Sequence, residues 1–110
     1  MKMNLYWKDI DGNTYNIGTL LKENKYIFLL NDKKYKKALQ NGCAGIGNLG
    51  QGKQESEQLF QFFKERIPGK DSPRLKKFLE IFDMEDYDEC ELLRRSKAKV
   101  ITDRFFLEEE

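Results

Sequence analysis

The sequence predicts an α+β domain: a small antiparallel β-sheet, built from an N-terminal meander and a C-terminal hairpin, packed against three to four short helices. Three observations lead to this fold class. Alternating polar and apolar residues fill the start of the chain, amphipathic helical patterns fill its middle, and short β-prone runs close it. We expect residues 1–110 to form one domain, because the length suits one core and no long linker interrupts it.

The first thirty residues are predicted to form a three-stranded meander. The runs 5–10 and 14–20 flank the turn 11–13, whose Asp-Gly-Asn sequence is a strong hairpin signal. A second polar turn leads into the run 25–30, which is apolar on both faces. Because such strands are typical of the interior of a sheet, we expect this third strand at its centre.

Helices are predicted to follow the meander. Asn31 or Asp32 can cap a short first helix. Residues 42–53 are rich in glycine and have no periodicity, so they are predicted to form a loop. Ser56 is the expected cap of an aromatic helix that ends at Pro68, and its apolar residues recur at helical spacing: Leu59, Phe60, Phe62, Phe63 and Ile67.

Two more helix starts and a closing hairpin complete the prediction. Serine at position 72 and proline at position 73 form a good start pair, and an amphipathic stripe follows them. Asp88 and Glu91 resemble a capping box before the last helix. The chain closes with two short β-prone runs, which are predicted to pair: 99–102 and 104–107.

The composition excludes several classes of function. Twenty basic and nineteen acidic residues leave a net charge of +1, which gives no overall attraction to nucleic acid or to an anionic membrane. There is no histidine, so the commonest general base and a favoured zinc ligand are missing, and we expect no enzyme activity. The sequence has no apolar run that could span a membrane, and it has no signal peptide. Its only cysteines are Cys43 and Cys90, and so few cysteines favour the cytoplasm.

Two patterns match ligand sites by letter only. Residues 45–50 fit a dinucleotide fingerprint, and residues 47–53 fit a phosphate-binding loop except that Gln54 replaces the serine or threonine that would hold magnesium. Both motifs need a strand immediately before them, whereas a helix is predicted here. The acidic residues between Asp83 and Glu91 lack the spacing of a calcium loop. We therefore expect no cofactor and no metal.

Two basic clusters leave a small nucleic-acid-binding domain open as an alternative function. The first surrounds Tyr35, as on surfaces that stack bases, and the second follows the last helix. We expect no direct contact with nucleic acid unless both clusters share one face of the fold. The clusters are Lys33, Lys34, Lys36 and Lys37, and Arg94, Arg95, Lys97 and Lys99.

An ordered set of short motifs resembles the N-terminal domain of HipA-type toxin kinases. That domain has a "VGTL"-like strand, an "FF…LLP" helix and a "D-x-F-E-L-L" helix start before a closing hairpin. The likeness spans residues 5–107, with two departures: Cys90 replaces a phenylalanine, and residues 96–99 lack the usual glycine pair. The matching segments are Gly18-Thr19-Leu20, residues 59–68, Arg74, Tyr87-Asp88, Glu91-Leu92-Leu93 and Arg95-Ser96.

The resemblance implies a free-standing version of that subdomain, since these residues lack a kinase's catalytic aspartate and metal-binding signature. In the family the subdomain packs on the kinase core and shapes contacts with a helix-turn-helix antitoxin. In three-component relatives it is a separate small protein that restrains the kinase. The implied function is therefore a non-enzymatic, antitoxin-like partner of a HipA-type serine/threonine kinase in the bacterial cytoplasm, with the kinase core and a helix-turn-helix antitoxin as partners.

The expected docking surface is the exposed edge of the aromatic helix near Pro68. Phe63, Arg66 and Arg74 are the predicted partner-binding residues, because aromatic and arginine side chains are the usual anchors of such contacts. The alternative for Arg66 is that it caps the end of the aromatic helix, where its charge suits the helix dipole.

Overall fold

A computed structural model describes all 110 residues and confirms the α+β fold. One antiparallel sheet has the strand order β4-β3-β2-β1-β5. Its strands are β1 (Lys2–Lys8), β2 (Thr14–Lys22), β3 (Tyr26–Leu30), β4 (Gln54–Ser56) and β5 (Phe105–Glu109). The helices are α1 (Asp32–Gln40), α2 (Gln61–Lys64), α3 (Leu75–Ile81) and α4 (Glu89–Ser96), with a 3₁₀ turn at Gly47–Gln51. None of the helices is both long and apolar enough to cross a membrane.

The meander forms as predicted, but two details of the sheet differ from the prediction. The central strand is β2, because the short strand β4 pairs with the outer side of β3 and β5 pairs with β1. The second apolar face of β3 is partly open, and Leu29 on it is 41% exposed. The predicted closing hairpin is wrong: residues 99–102 form an irregular turn, and only β5 returns to the sheet.

One face of the sheet carries the core. On β1, Met3, Leu5 and Trp7 are buried and alternate with less buried residues. Leu20, Phe28 and Leu107 from the other strands join the same buried cluster, together with Ala38 of α1, Phe63 of α2, and Leu92 and Leu93 of α4. The helices therefore cover a single face, and the opposite face keeps partly exposed side chains such as Tyr6 and Phe106.

A β-bulge in β2 turns two successive positions toward the core. Leu5 pairs with Gly18 and Tyr6 pairs with Asn16, so Ile17 is the extra residue between them. Ile17 is fully buried, and the ring of Phe28 lies against the backbone of Gly18. The glycine of the "Gly-Thr-Leu" motif is therefore needed for a close approach between β2 and β3.

We expect Gly18→Ala to destabilise the domain by about 1–3 kcal/mol through overpacking. A Cβ atom at this position would lie 2.5 Å from Cζ of Phe28 and 2.6 Å from the backbone oxygen of Leu29. Urea unfolding measures the loss. Gly69→Ala is the matched control, because a Cβ there meets nothing within 4 Å, and equal stability of the two variants would contradict the prediction.

The aromatic helix is shorter than predicted. Ser56 belongs to β4, and its Oγ accepts a hydrogen bond from the Gln58 N–H (3.1 Å), so it caps a turn instead of a helix. Phe60 is extended (φ −62°, ψ 144°), and α2 begins only after it as a single turn. Pairing of residues 54–56 with β3 holds this segment extended, which overrides the helical spacing of the apolar residues.

The starts of α1 and α4 follow the predicted capping chemistry. The predicted helix start at Ser72 and Pro73 is wrong, because α3 begins at Leu75 and no side chain caps it. Asn31 Oδ1 accepts from the Lys34 N–H (3.2 Å), and Asp88 Oδ1 accepts from the Glu91 N–H (3.1 Å). Ser72 Oγ accepts from the Arg74 N–H (3.2 Å) in the turn that leads into α3. The capping box at Asp88 is only half formed, because the carboxylate of Glu91 binds arginine side chains instead of the backbone.

Candidate functional site

Arg66 is the most heavily bonded side chain among the predicted site residues. Its guanidinium forms a bidentate pair with Asp103, with Nη1 donating to Oδ2 (2.8 Å) and Nη2 to Oδ1 (2.6 Å). Nε donates to the carbonyl of Ala98 (2.6 Å), and Nη2 also donates to the carbonyl of Phe105 (3.1 Å). The side chain is only 5% exposed. Arg66 therefore ties the end of α2 to the segment that leads into β5.

Aromatic rings enclose this arginine. The guanidinium carbon lies 5.0 Å from the ring centre of Phe62 and 5.7 Å from that of Phe105. The two rings meet edge to face at 5.3 Å. Because Arg66 is buried, the prediction that it lines a docking surface is corrected. Its hydrogen bonds go to residues 98–105, so they also differ from those of a residue that caps α2.

Phe63 and Arg74 lie in opposite environments. Phe63 is fully buried, with its ring centre 6.1 Å from that of Phe28 and 5.2 Å from that of Phe62. Its burial corrects the prediction that Phe63 faces a partner, because no part of the ring reaches the surface. Arg74 is exposed at the start of α3 and stays a predicted contact residue.

The carboxylate of Asp103 makes the fold sensitive to acid. Burial raises its pKa, whereas hydrogen bonds from Arg66 and from the Phe105 N–H lower it, and the net pKa lies below the ordinary value. Since the pKa is lower in the folded state, the pair stabilises the domain above about pH 4, and this contribution is lost as the pH falls through the folded-state pKa.

We therefore expect the free energy of unfolding to fall as the pH is lowered from about 5 to about 2, and Asp103→Asn to remove part of that fall. Urea unfolding over this pH range measures it. Glu57→Gln is the control, because Glu57 is exposed and forms no ion pair. The same pH dependence in Asp103→Asn and in the unaltered chain would contradict the assignment.

Two residues after α4 adopt the left-handed conformation. Lys97 (φ 59°) and Ala98 (φ 53°) follow each other, although neither is a glycine. The chain turns back here, so that the carbonyl of Lys97 accepts from the Leu107 N–H (2.7 Å) and that of Ala98 accepts from Arg66.

A second tie joins α4 to β3. The buried Tyr26 donates its phenol hydrogen to Glu89 Oε1 (2.6 Å), and its oxygen lies 3.7 Å from the Cys90 sulfur. Burial raises the pKa of Tyr26, and the bond to Glu89 raises it further. The Tyr26 phenol is therefore a neutral hydrogen-bond donor that positions the first turn of α4. Cys90 and Cys43 are both free thiols.

Helix α3 is the only α-helix without a buried residue, and Ile81 on it is 64% exposed. The rings of Phe78 and Phe82 pack on each other at 4.9 Å and are only partly buried. The amphipathic stripe that the sequence showed lies on this helix, and its apolar side is only partly covered by the rest of the domain. We define the α3 surface as Arg74, Leu75, Phe78, Leu79, Ile81 and Phe82.

The two basic clusters lie in different settings. The four lysines of α1 are exposed and form no ion pair. In the second cluster, Arg94 and Arg95 bind Glu91, and Lys97 approaches Glu108 at 3.5 Å. Helix α1 packs against β2, whereas α4 packs against β5. The second cluster is therefore largely neutralised within the domain.

The glycine-rich loop packs around Tyr35. The Tyr35 hydroxyl accepts from the Ile46 N–H (3.2 Å), and a Cβ at Gly50 would lie 2.9 Å from the Tyr35 ring. Tyr35 is thus engaged inside the domain and offers no free ring to a base. No group of three or more acidic or cysteine residues is placed to hold a metal ion.

Sequence reasoning missed Asp103 as the partner of Arg66, and the openness of α3. The Arg66–Asp103 pair spans 37 positions, so no local pattern marks it.

Comparison with protein-family models, with curated proteins and with solved structures gives no match in any of the three.

Proposed function

We propose that this protein is a non-enzymatic interaction module that binds and restrains a HipA-type serine/threonine kinase in the cytoplasm. The single observation that carries the proposal is the α3 surface, an amphipathic helix whose apolar residues stay partly exposed. Exposed apolar patches of this kind mark binding surfaces. Arg74 adds a charged anchor at the start of the same helix.

The motifs that carry the family resemblance have physical roles in this fold, which supports the proposal. Gly18 allows the close approach of Phe28, and Asp88 caps α4. The left-handed residues Lys97 and Ala98 lie within residues 96–99, the segment in which the family usually has its glycine pair. A backbone that requires positive φ explains why glycine suits those positions in the family.

The mechanism follows from the chemistry of the α3 surface. Docking would bury the partly exposed rings of Phe78 and Phe82 and the side chain of Ile81 in an apolar groove of the kinase, while Arg74 pairs with an acidic group at the rim. A domain held there would block or misalign the kinase's active site. Regulation by such docking requires no catalytic group on this chain.

The test is a pull-down with the HipA-type kinase encoded nearest to this chain, followed by an autophosphorylation assay. We expect a stable complex with lowered autophosphorylation. Ile81→Glu should weaken binding by on the order of tenfold or more, since it places a charge in the apolar contact. Ile101→Glu is the matched control, because Ile101 is also exposed but lies outside the α3 surface.

Absence of a complex, or equal binding by the Ile81→Glu and Ile101→Glu variants, would contradict this proposal.

The exposed, unpaired lysines of α1 favour the alternative function, a small nucleic-acid-binding domain. Salt-sensitive retention on DNA that Lys33→Glu and Lys36→Glu abolish would support that alternative.

A further inference from the structure

Two open cavities lie side by side around Arg104, remote in sequence from α3. The first has a volume of about 310 Å³ and is lined by Lys8, Lys99 and Phe106, among others. The second has a volume of about 450 Å³ and is lined by Trp7, Ile10 and Ala44, among others. Asp103, Arg104 and Phe105 border both cavities, so the two depressions adjoin at this segment. We call the pair of depressions the Arg104 groove.

The groove carries unpaired positive charge. Lys8, Lys99 and Arg104 are all exposed, and none of them forms an ion pair. The two acidic residues of the lining are engaged elsewhere: Asp103 is held by Arg66, and Glu108 lies 3.5 Å from Lys97. The local field therefore attracts an anionic ligand, although the whole chain is nearly neutral.

A neighbouring carboxylate is also fully engaged. Asp9 accepts hydrogen bonds from the Asp11 and Asn13 N–H groups, from the Asn13 side chain and from the Tyr15 hydroxyl (2.8–3.1 Å). Only its backbone carbonyl contacts the groove, where it accepts from Arg104 Nη1 (3.1 Å). The charge of Arg104 is therefore not neutralised by Asp9.

The second cavity adds an apolar chamber, which Arg104 borders. Four of its nine lining residues are apolar, and Ile10 at its rim is 84% exposed. Trp7 and Phe105 are largely buried, so they offer the chamber only part of their rings. An aliphatic or aromatic side chain of a ligand would cover Ile10 while the ligand's charges reach Arg104.

We propose that the Arg104 groove binds an acidic peptide segment of a partner protein, with an apolar side chain in the chamber and carboxylates on Lys8, Lys99 and Arg104. A peptide suits it better than nucleic acid, because the aromatic rings nearby are not free to stack a base. Phe106 is stacked on Tyr6 at 5.5 Å, and Nζ of Lys99 lies 5.6 Å from its ring centre. The groove shares no residue with the α3 surface, so this inference is independent of the kinase proposal.

The experiment is selection of a displayed library of random short peptides on the immobilised full chain, followed by titration of the enriched peptides. Trp7 is the only tryptophan in the chain and lines the chamber, so its fluorescence reports occupancy. We expect enriched sequences that combine acidic residues with an apolar one, and a change of Trp7 emission on binding. Lys99→Glu and Arg104→Glu should each weaken binding by on the order of tenfold or more.

Lys36→Glu is the matched control, because it makes the same charge change on exposed α1 and should leave peptide affinity unaltered. Circular dichroism checks that every variant is folded, and Lys99→Glu serves as the decisive variant if Arg104→Glu is not. Enrichment without acidic residues, no enrichment at all, or binding that Lys99→Glu leaves unchanged would overturn the proposal. Binding of an oligothymidine strand that depends on Lys99 and Arg104 would overturn it in favour of a nucleic-acid site.

Discussion

Arg66→Ala is expected to lower the free energy of unfolding by about 3 kcal/mol or more, because each buried polar group that is left without its partner costs about 1–3 kcal/mol. The substitution leaves the carboxylate of Asp103 and the carbonyls of Ala98 and Phe105 without their donor. It also removes the cation between the rings of Phe62 and Phe105. Because small domains are stable by only about 5–15 kcal/mol, this loss is a large share of the total stability.

Urea unfolding followed by circular dichroism measures this loss. Arg74→Ala is the matched control, since Arg74 is exposed and its loss should change stability by no more than about 0.5 kcal/mol. A loss below about 1 kcal/mol for Arg66→Ala would show that the guanidinium network is not a main support of the fold. The two arginines were predicted to share one surface, so this comparison separates a structural residue from a contact residue.

Phe63→Ala is expected to cost about 3–5 kcal/mol, as is typical when a fully buried phenylalanine is truncated. The ring of Phe63 lies between those of Phe28 and Phe62 in the core, and no part of it is exposed. The cavity left behind cannot close easily, because α2 is a single turn held at its end by Arg66.

Thermal and urea unfolding check the effect. Ile81→Ala serves as control, because this exposed side chain of the α3 surface should change stability by less than about 0.5 kcal/mol. The opposite pattern, a stable Phe63→Ala variant that loses only kinase binding, would restore Phe63 to the docking surface.

Local capping and turn chemistry could be predicted well. The turn 11–13 joins β1 and β2, Asn31 caps α1 and Asp88 caps α4, because each depends on residues within a few positions. The α+β class follows from the same patterns. At α4 only the reciprocal half of the capping box was wrong, since Glu91 has two arginines within reach on the next turn.

Pairing and burial between distant segments could not be predicted. Residues 59–67 have helical spacing but form only one helical turn, because β4 pairs with β3 just before them and holds the chain extended. Residues 99–102 have β-prone side chains but form a turn, since the chain reverses at Lys97 and Ala98 and the Leu107 N–H of β5 bonds to the carbonyl of Lys97. In the candidate site, Arg66 and Phe63 look like surface anchors by residue type, yet both are buried.

Local patterns are enough to predict the fold class, the first hairpin and the caps of α1 and α4, because these depend on contacts between neighbours in the chain. Which aromatic and charged residues are accessible is visible only in the folded domain. Arg66 finds its partner 37 positions away, α3 is left partly uncovered, and the cations around Arg104 come from both ends of the chain. Burial and ion pairing depend on which distant segments meet, and that information lies in the packing of the whole domain.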